Sequence, residues 1–401
     1  MATTRYGDYF AGTEYYVDYS AGTDDLAAGR GDTDGDPWQT LKYAIETGIT
    51  RNSSTGDRIN LKGNVTHTVA ATASLSDYVV SASEAAPLLI QGYTSAANDG
   101  GIAYLAGSVK LWDGVIFSYL GLQDLHVDVT VDSGGAFVND RNGTYINVYC
   151  KNSSNVTNAP ACEVDGVSSV WIDCYFEGNT VNTWSLMGTG ISNSMQGIGC
   201  MMVQRGTGGI VSAYGTGAPT SHNSLYVHEG NAQSNYAAMS NSSINCAAIC
   251  LGTPGSVSYG WRGSDRCIVS GCYFENYGYA IGGGHSTYTS QYVKNNSFYN
   301  CGNAMVSWVG KPGYVEAPVD TVESIFTDTD HALAADCDFT INQNSVDNQA
   351  VTRGFVDPND SSNNKTFQTF VDASGLGTIT ETVAGAIVNQ GLHAIESGIT
   401  A

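Results

Sequence analysis

The sequence predicts an all-β chain: a right-handed, single-stranded parallel β-helix, a solenoid of short strands with an N-terminal capping helix and a small C-terminal cap or association element. Three observations predict it. A short apolar frame ending in cysteine recurs at intervals of 24 and 26 residues, as expected of a solenoid. Two copies are nearly identical, Asp173-Cys-Tyr-Phe-Glu-Gly-Asn179 and Gly271-Cys-Tyr-Phe-Glu-Asn-Tyr277. The stretches between frames are rich in Gly and Asn and show no helical periodicity, which favours strands over helical repeats.

Residues 1–56 read as an N-terminal attachment segment with the capping helix. Asp36 is placed to N-cap it, Pro37 suits its first position and Gly48 its end. Trp38, Leu41, Ala44 and Ile45 then share one face. Such a plug is needed because open strand edges invite pairing with other chains.

Residues 57–358 read as the coils. Cys150, Cys174, Cys200, Cys246 and Cys272 are spaced by 24, 26, 46 and 26 residues. The long gap is nearly two coils, and Ser224-Leu225-Tyr226-Val227 supplies the strand of the coil without a cysteine. Beyond Cys272, Val293-Lys-Asn-Asn-Ser297-Phe298 repeats the frame with Ser297 in the cysteine's place. Strand alternation points Cys174 and Phe176 inward and Asp173, Tyr175 and Glu177 outward. A small apolar thiol in each coil suits a narrow core better than a metal or disulfide role. Residues 359–401 carry Ile379, Val383, Ile387, Leu392, Ile395 and Ile399 at near-helical spacing, broken by three glycines, and read as a C-terminal cap or oligomerisation element.

Composition narrows the function. A net charge of −22 argues against nucleic acid, which needs a basic footprint. No apolar run approaches the ~18 residues of a membrane-spanning helix, so no membrane insertion is expected. The opening Met1-Ala-Thr-Thr-Arg-Tyr-Gly-Asp8 lacks the apolar stretch of a signal peptide.

Tyr15-Tyr16-Val17-Asp18, Pro37-Trp38-Gln39-Thr40-Leu41, Ala44-Ile45 and Gly56-Asp57-Arg58-Ile59-Asn60-Leu61 resemble the opening of pectate-lyase-like parallel β-helix proteins. That superfamily includes polysaccharide lyases, glycoside hydrolases and the tailspikes and other virion proteins of bacteriophages. The resemblance implies the fold and leaves the function open among these.

Catalytic equipment is sparse. The polygalacturonase-type His-Gly and Arg-Ile-Lys motifs are absent, and the one Asp-Asp pair, Asp24-Asp25, precedes the coils. Coils aligned by their cysteines place Ser153, Glu177 and Val203 at one outward position, so no carboxylate pair of the kind glycoside hydrolysis needs is expected. Asp124, Asp128 and Asp132 alternate along one strand with Arg141 nearby; they form either the acidic half of a catalytic site or a solvated outer face. Asp265-Arg266 with Glu275 and His285, and His228-Glu229, are further candidates, with turns or rims as their bland reading. Asp32, Asp34 and Asp36 alternate as in calcium loops, against a plain acidic turn. No other cofactor is indicated. The 24 tyrosines suit glycan or protein contact, or stacking along the coil exterior.

The expectation is a bacteriophage virion surface protein: a tailspike, fibre or capsid-surface spike, made in the host cytoplasm. It would assemble as a homotrimer with other virion proteins and present its coils to host surface polysaccharide. The alternatives are a polysaccharide-degrading lyase or glycoside hydrolase, and an extracellular bacterial surface adhesin.

Overall fold

Seven of the described coils turn a corner at an Asp, Asn or Gly of positive φ. The computed structural model describes residues 12–49, 56–74, 87–113, 119–132, 138–139 and 143–156, most of 159–282, and a set of strands from 291 to 366. The architecture is all-β and dominated by parallel strands, as a parallel β-helix requires. The chain divides into two compact units, 1–180 with 186–196, and 181–185 with 197–401.

In the first unit the strands are β1 (Glu14–Val17), β2 (Asp57–Lys62), β3 (Thr66–Val69), β4 (Ala73–Ser74), β5 (Leu88–Tyr93), β6 (Ala103–Gly107), β7 (Trp112–Asp113), β8 (Leu120–Val129), β9 (Val138–Asn139), β10 (Thr144–Asn152), β11 (Cys162–Val164), β12 (Ser169–Ile172) and β13 (Tyr175–Gly178). They stack on three faces. On the first, Tyr15, Ile59, Ile90, Leu122, Tyr145 and Trp171 follow one another in register, all buried. On the second, His67, Leu105, Val127, Cys150 and Phe176 do the same. The third pairs β4 with β7 and β9 with β11. Side chains alternate across a strand, so each coil donates one core residue per face and the columns stack coil on coil.

The second unit repeats the plan. Met202, Tyr226, Ala248 and Phe274 form one inner column, and Met239, Trp261 and Ile281 another, all buried.

The corner residues are Asp124, Asn147 and Asp173 in the first unit and Gly199, Asn223, Asn245 and Gly271 in the second, with φ between 50° and 66°. Only Gly, Asn and Asp enter this region readily, because a larger Cβ meets the following carbonyl. The bend is also fixed by hydrogen bonds along the coil axis. Asn223 N donates to Ile244 O at 3.0 Å and Asn245 N to Ser270 O at 2.8 Å. Asn245 is itself exposed, so its substitutions report backbone strain rather than lost packing. Asn245→Val is expected to cost about 1–3 kcal/mol, whereas Asn245→Gly should stay close to wild type; urea unfolding midpoints of the two variants check this.

Three expectations are corrected here. The N-terminal helix is short: Leu41–Tyr43 continues as a wider π-helical turn, Ala44–Gly48. Its N-cap is Thr40, whose Oγ1 accepts from Tyr43 N at 3.1 Å, and not Asp36. Residues 37–39 are unavailable to a helix because Trp38 bridges Val17 in parallel, with Trp38 N donating to Tyr16 O and Asp18 N to Trp38 O. Asp36 pairs instead with Arg30. Leu41, Ala44 and Ile45 are buried as the sequence implies.

The cysteine alignment is corrected too. Cys174, Cys200, Cys246 and Cys272 each follow a corner residue, but Cys150 lies two positions later, opposite Phe176. After the Asn147 corner the small position is held by Val148. Beyond Cys272 it is held by Asn296, whose Oδ1 accepts from Cys272 N at 2.9 Å, and not by Ser297, which pairs with Tyr273. The eight described cysteines are buried and form no disulfide, and burial pushes the Cys246 thiol well above its ordinary value. Cys246 Sγ lies 3.4 Å from the Ser221 and Ile244 carbonyls, a neutral donor in the core.

Near the C-terminus, Gly354–Phe355 pairs antiparallel with Lys365–Thr366. The apolar stripe from Ile379 to Ile399 lies outside the described residues.

Candidate functional site

A continuous group of polar and aromatic side chains in the first unit lies on the outward side of its second face. With Val127, Cys150 and Phe176 directed into the core, their neighbours must point out. The register then fixes two outward columns. One runs Thr66, Tyr104, His126, Tyr149 and Tyr175; the other runs Thr68, Ala106, Asp128, Lys151 and Glu177.

In the first column the rings touch in sequence. Tyr104 and His126 have centroids 5.1 Å apart, His126 and Tyr149 4.1 Å, and Tyr149 and Tyr175 4.5 Å with planes 6° from parallel. In the second, Lys151 Nζ lies 3.9 Å from Asp128 Oδ2 and 3.6 Å from Glu177 Oε1. The columns are joined at Glu177, whose Oε2 accepts from Tyr175 at 2.9 Å and Tyr149 at 3.2 Å. Glu177 is nearly buried by these partners, whereas Asp128 is open to solvent. Partial burial pushes His126 below its ordinary value, opposed by the carboxylate of Asp128.

Asp128 and Glu177 therefore stand within reach of one ammonium, a carboxylate pair that the cysteine alignment missed. That alignment put Ser153 where Lys151 lies. The signal that finds the true register is the apolar residue followed by Asn, Asp or Gly: Ile146-Asn147, Ile172-Asp173, Ile198-Gly199 and Ile244-Asn245.

The structure separates Asp124, Asp128 and Asp132. Asp124 is the corner residue, at φ 55°, and the corner breaks the alternation that would align it with Asp128. It is buried and accepts from Asn147 Nδ2 at 2.7 Å and Gln123 Nε2 at 2.9 Å. Asp132 lies past the strand end and accepts from Ser154 Oγ at 2.7 Å. Arg141, Asp265, Arg266 and His285 lie outside the described residues.

His228 and Glu229 diverge: His228 is buried, bonded to Tyr277 and Gly208, while Glu229 pairs with Arg205 outside. Glu275 accepts from Tyr273 at 2.9 Å, repeating the Tyr175–Glu177 contact of the near-identical segment.

In the acidic loop, Asp34 receives Lys62 at 2.9 Å and the Tyr93 hydroxyl, and Asp36 receives Arg30. Two of the three carboxylates of Asp32, Asp34 and Asp36 are thus held by the chain's own donors. Among the described residues no group of three or more His, Cys, Asp or Glu could hold a metal ion. No described helix is long and apolar enough to cross a membrane.

No family model and no curated protein matches the chain. Among solved structures it is similar to one described as Geobacillus virus E2 - ORF18, at 12% identity and a TM-score of 0.42, over 85% of this chain and 61% of that one. It is also similar to a GH136 lacto-N-biosidase from Eubacterium ramulus, at 12% identity and a TM-score of 0.35, over 84% of this chain and 67% of that one. The chain thus spans 61% of the length of the viral protein.

Proposed function

We propose that this chain is a surface protein of a bacteriophage virion, a homotrimeric right-handed β-helix that offers the Tyr104–Glu177 flank to host surface glycan. The observation that carries the glycan reading is the in-register ladder of rings beside alternating charges on successive coils. Tyrosine joins an apolar face to a polar edge, which is what a sugar surface requires. Right-handedness follows the strong preference of parallel crossovers within one sheet. Among the described residues the buried thiols form no disulfide, which suits assembly in a reducing cytoplasm, where virions form. The resemblance of residues 15–61 to the superfamily that holds tailspikes supports the same setting.

A second reading, glycan hydrolysis, is favoured by the pairing of Asp128 and Glu177 across Lys151, since such enzymes work with two nearby carboxyl groups. Binding is preferred because the oxygens of Glu177 are already engaged by two phenols and an ammonium.

One experiment tests both. The native particle, its mass first measured, is incubated with bacterial surface polysaccharides while binding and new reducing ends are followed. Binding without cleavage by a particle of three chains is expected. Cleavage abolished by Glu177→Gln, with the fold intact, would install the enzyme reading. Neither binding nor cleavage would remove both.

A further inference from the structure

We infer that the open face of Tyr104 is the stacking platform for one uncharged sugar ring, with Thr66 and Thr68 as its hydroxyl shelf. The inference rests on the glycan reading above and names the ligand class and the point of contact.

The stacked rings do not all offer themselves to a ligand. His126 lies between Tyr104 and Tyr149, and Tyr149 between His126 and Tyr175, so the faces of both are spent on neighbours. Among the described residues Tyr104 has an aromatic neighbour on one side only. On the other, its register partner is Thr66, too small to cover a phenol ring. The exposures agree: Tyr104 is 41% exposed, whereas His126, Tyr149 and Tyr175 are partly buried.

The surroundings of that face are small and hydroxylated. Thr66 and Thr68 are both exposed, and Thr68 is paired with Ala106 beside the Tyr104 ring. A sugar ring laid against Tyr104 would place its apolar C–H face on the phenol and its rim hydroxyls over the threonines. The next residue in the charged column is Asp128, open to solvent. As a carboxylate it accepts hydrogen bonds from sugar hydroxyls and repels uronate, sialate or phosphate groups. Lys151, the cation of that column, is shared between Asp128 and Glu177. A chain of net charge −22 adds long-range repulsion of any polyanion. The ligand is therefore a neutral glycan.

The test uses the full-length protein and ligand-observed NMR with three probes: maltohexaose, an N-acetylglucosamine hexamer and a galacturonate hexamer. At least one neutral hexamer should bind, and the galacturonate should not. Tyr104→Ala should weaken that binding at least tenfold, while Tyr104→Phe, which keeps the ring, should stay within about twofold. Thr66→Tyr extends the stack and covers the open face, so it should also abolish binding although the Tyr104 ring itself stays in place. Equal unfolding midpoints for the variants show that each is folded. Neutral-hexamer binding that survives both Tyr104→Ala and Thr66→Tyr, or a preference for galacturonate, overturns the inference and leaves the glycan reading standing. No binding of any probe, or of any polysaccharide in the experiment above, overturns both.

Discussion

Trp171→Ala is expected to lower the unfolding free energy by about 3–5 kcal/mol, the range for deleting a large aromatic side chain from a packed core. Trp171 has no solvent exposure and ends the described inner column of the first face in its unit. Its ring lies on Tyr145 with centroids 3.8 Å apart and planes 13° from parallel, and meets Phe176 edge-on at 4.9 Å. Stacked and edge-on pairs add roughly 0.5–1.5 kcal/mol each beyond the area they bury. The indole Nε1 donates to Ser169 Oγ at 3.1 Å, and Ser169 is buried too, so truncation takes a hydrogen-bond partner from a group that water cannot reach. In a stacked column the neighbouring coil cannot close the gap without leaving its register, so the cavity persists. Trp171→Phe keeps a ring against Tyr145 and should lose clearly less. Denaturant unfolding of the three proteins gives the comparison; a loss below about 1 kcal/mol for the alanine variant would mean that this column does not hold its unit together.

The coil plan was legible because two simple signals coincide in the chain. Inward positions alternate along short strands, and seven described coils turn at a residue that tolerates positive φ. Both signals survive in Trp171-Ile-Asp-Cys174 and Val269-Ser-Gly-Cys272, so strand existence and direction could be read directly. Register was harder. Cysteine fits any tight inward position, and Cys150 occupies a different one from Cys174, so anchoring on sulfur slipped that coil by two residues. A slip of two keeps the inward and outward sets intact, which is why the core survived the error. It does exchange neighbours along each outward column, and the candidate site is made of those neighbours. Lys151 between Asp128 and Glu177 was therefore hidden, although all three are plainly polar in the sequence. The helix start was misread for another reason. Asp36-Pro37 is a good local cap, but the parallel bridge between Trp38 and Val17 is a long-range contact that local propensity cannot anticipate.

Acidification from pH 7 to about pH 4 is expected to remove about 3 kcal/mol of stability through one side chain, His228. It occupies the last position of its strand, opposite Gln204 of the preceding coil. Gln204 fastens the turn that follows it, with Nε2 donating to Gly209 O at 3.0 Å and Oε1 accepting from Gly206 N at 3.0 Å. His228 does comparable work as a fully buried imidazole, with Nε2 3.1 Å from Gly208 O and Nδ1 2.9 Å from the Tyr277 hydroxyl. A carbonyl can only accept, so Nε2 carries the proton and Nδ1 accepts from Tyr277, whose own burial keeps its phenol protonated.

Burial pushes His228 down to about 4, with the hydrogen bond to Gly208 O as a smaller opposing effect. The unfolded chain, whose histidines titrate near 6.5, takes up the proton first as pH falls. Stability from this group is therefore complete above about pH 6.5, declines as pH drops, and is fully lost once pH falls below about 4. Asp99 follows the same sign in a lower window: its carboxylate accepts from Thr94, Ser95, Ala96 and Gly101 amides and is held well below the usual carboxylate range, so its contribution fades only in stronger acid. His67 and His126 are also lowered by burial and share the upper window, which makes a difference measurement necessary. His228→Gln keeps a side chain that can donate and accept but does not titrate. Its unfolding free energy should be lower than wild type at pH 7 and should fall less steeply between pH 6.5 and 4. Parallel pH profiles for the two proteins across that window would show that His228 is not the group that loosens these coils in acid.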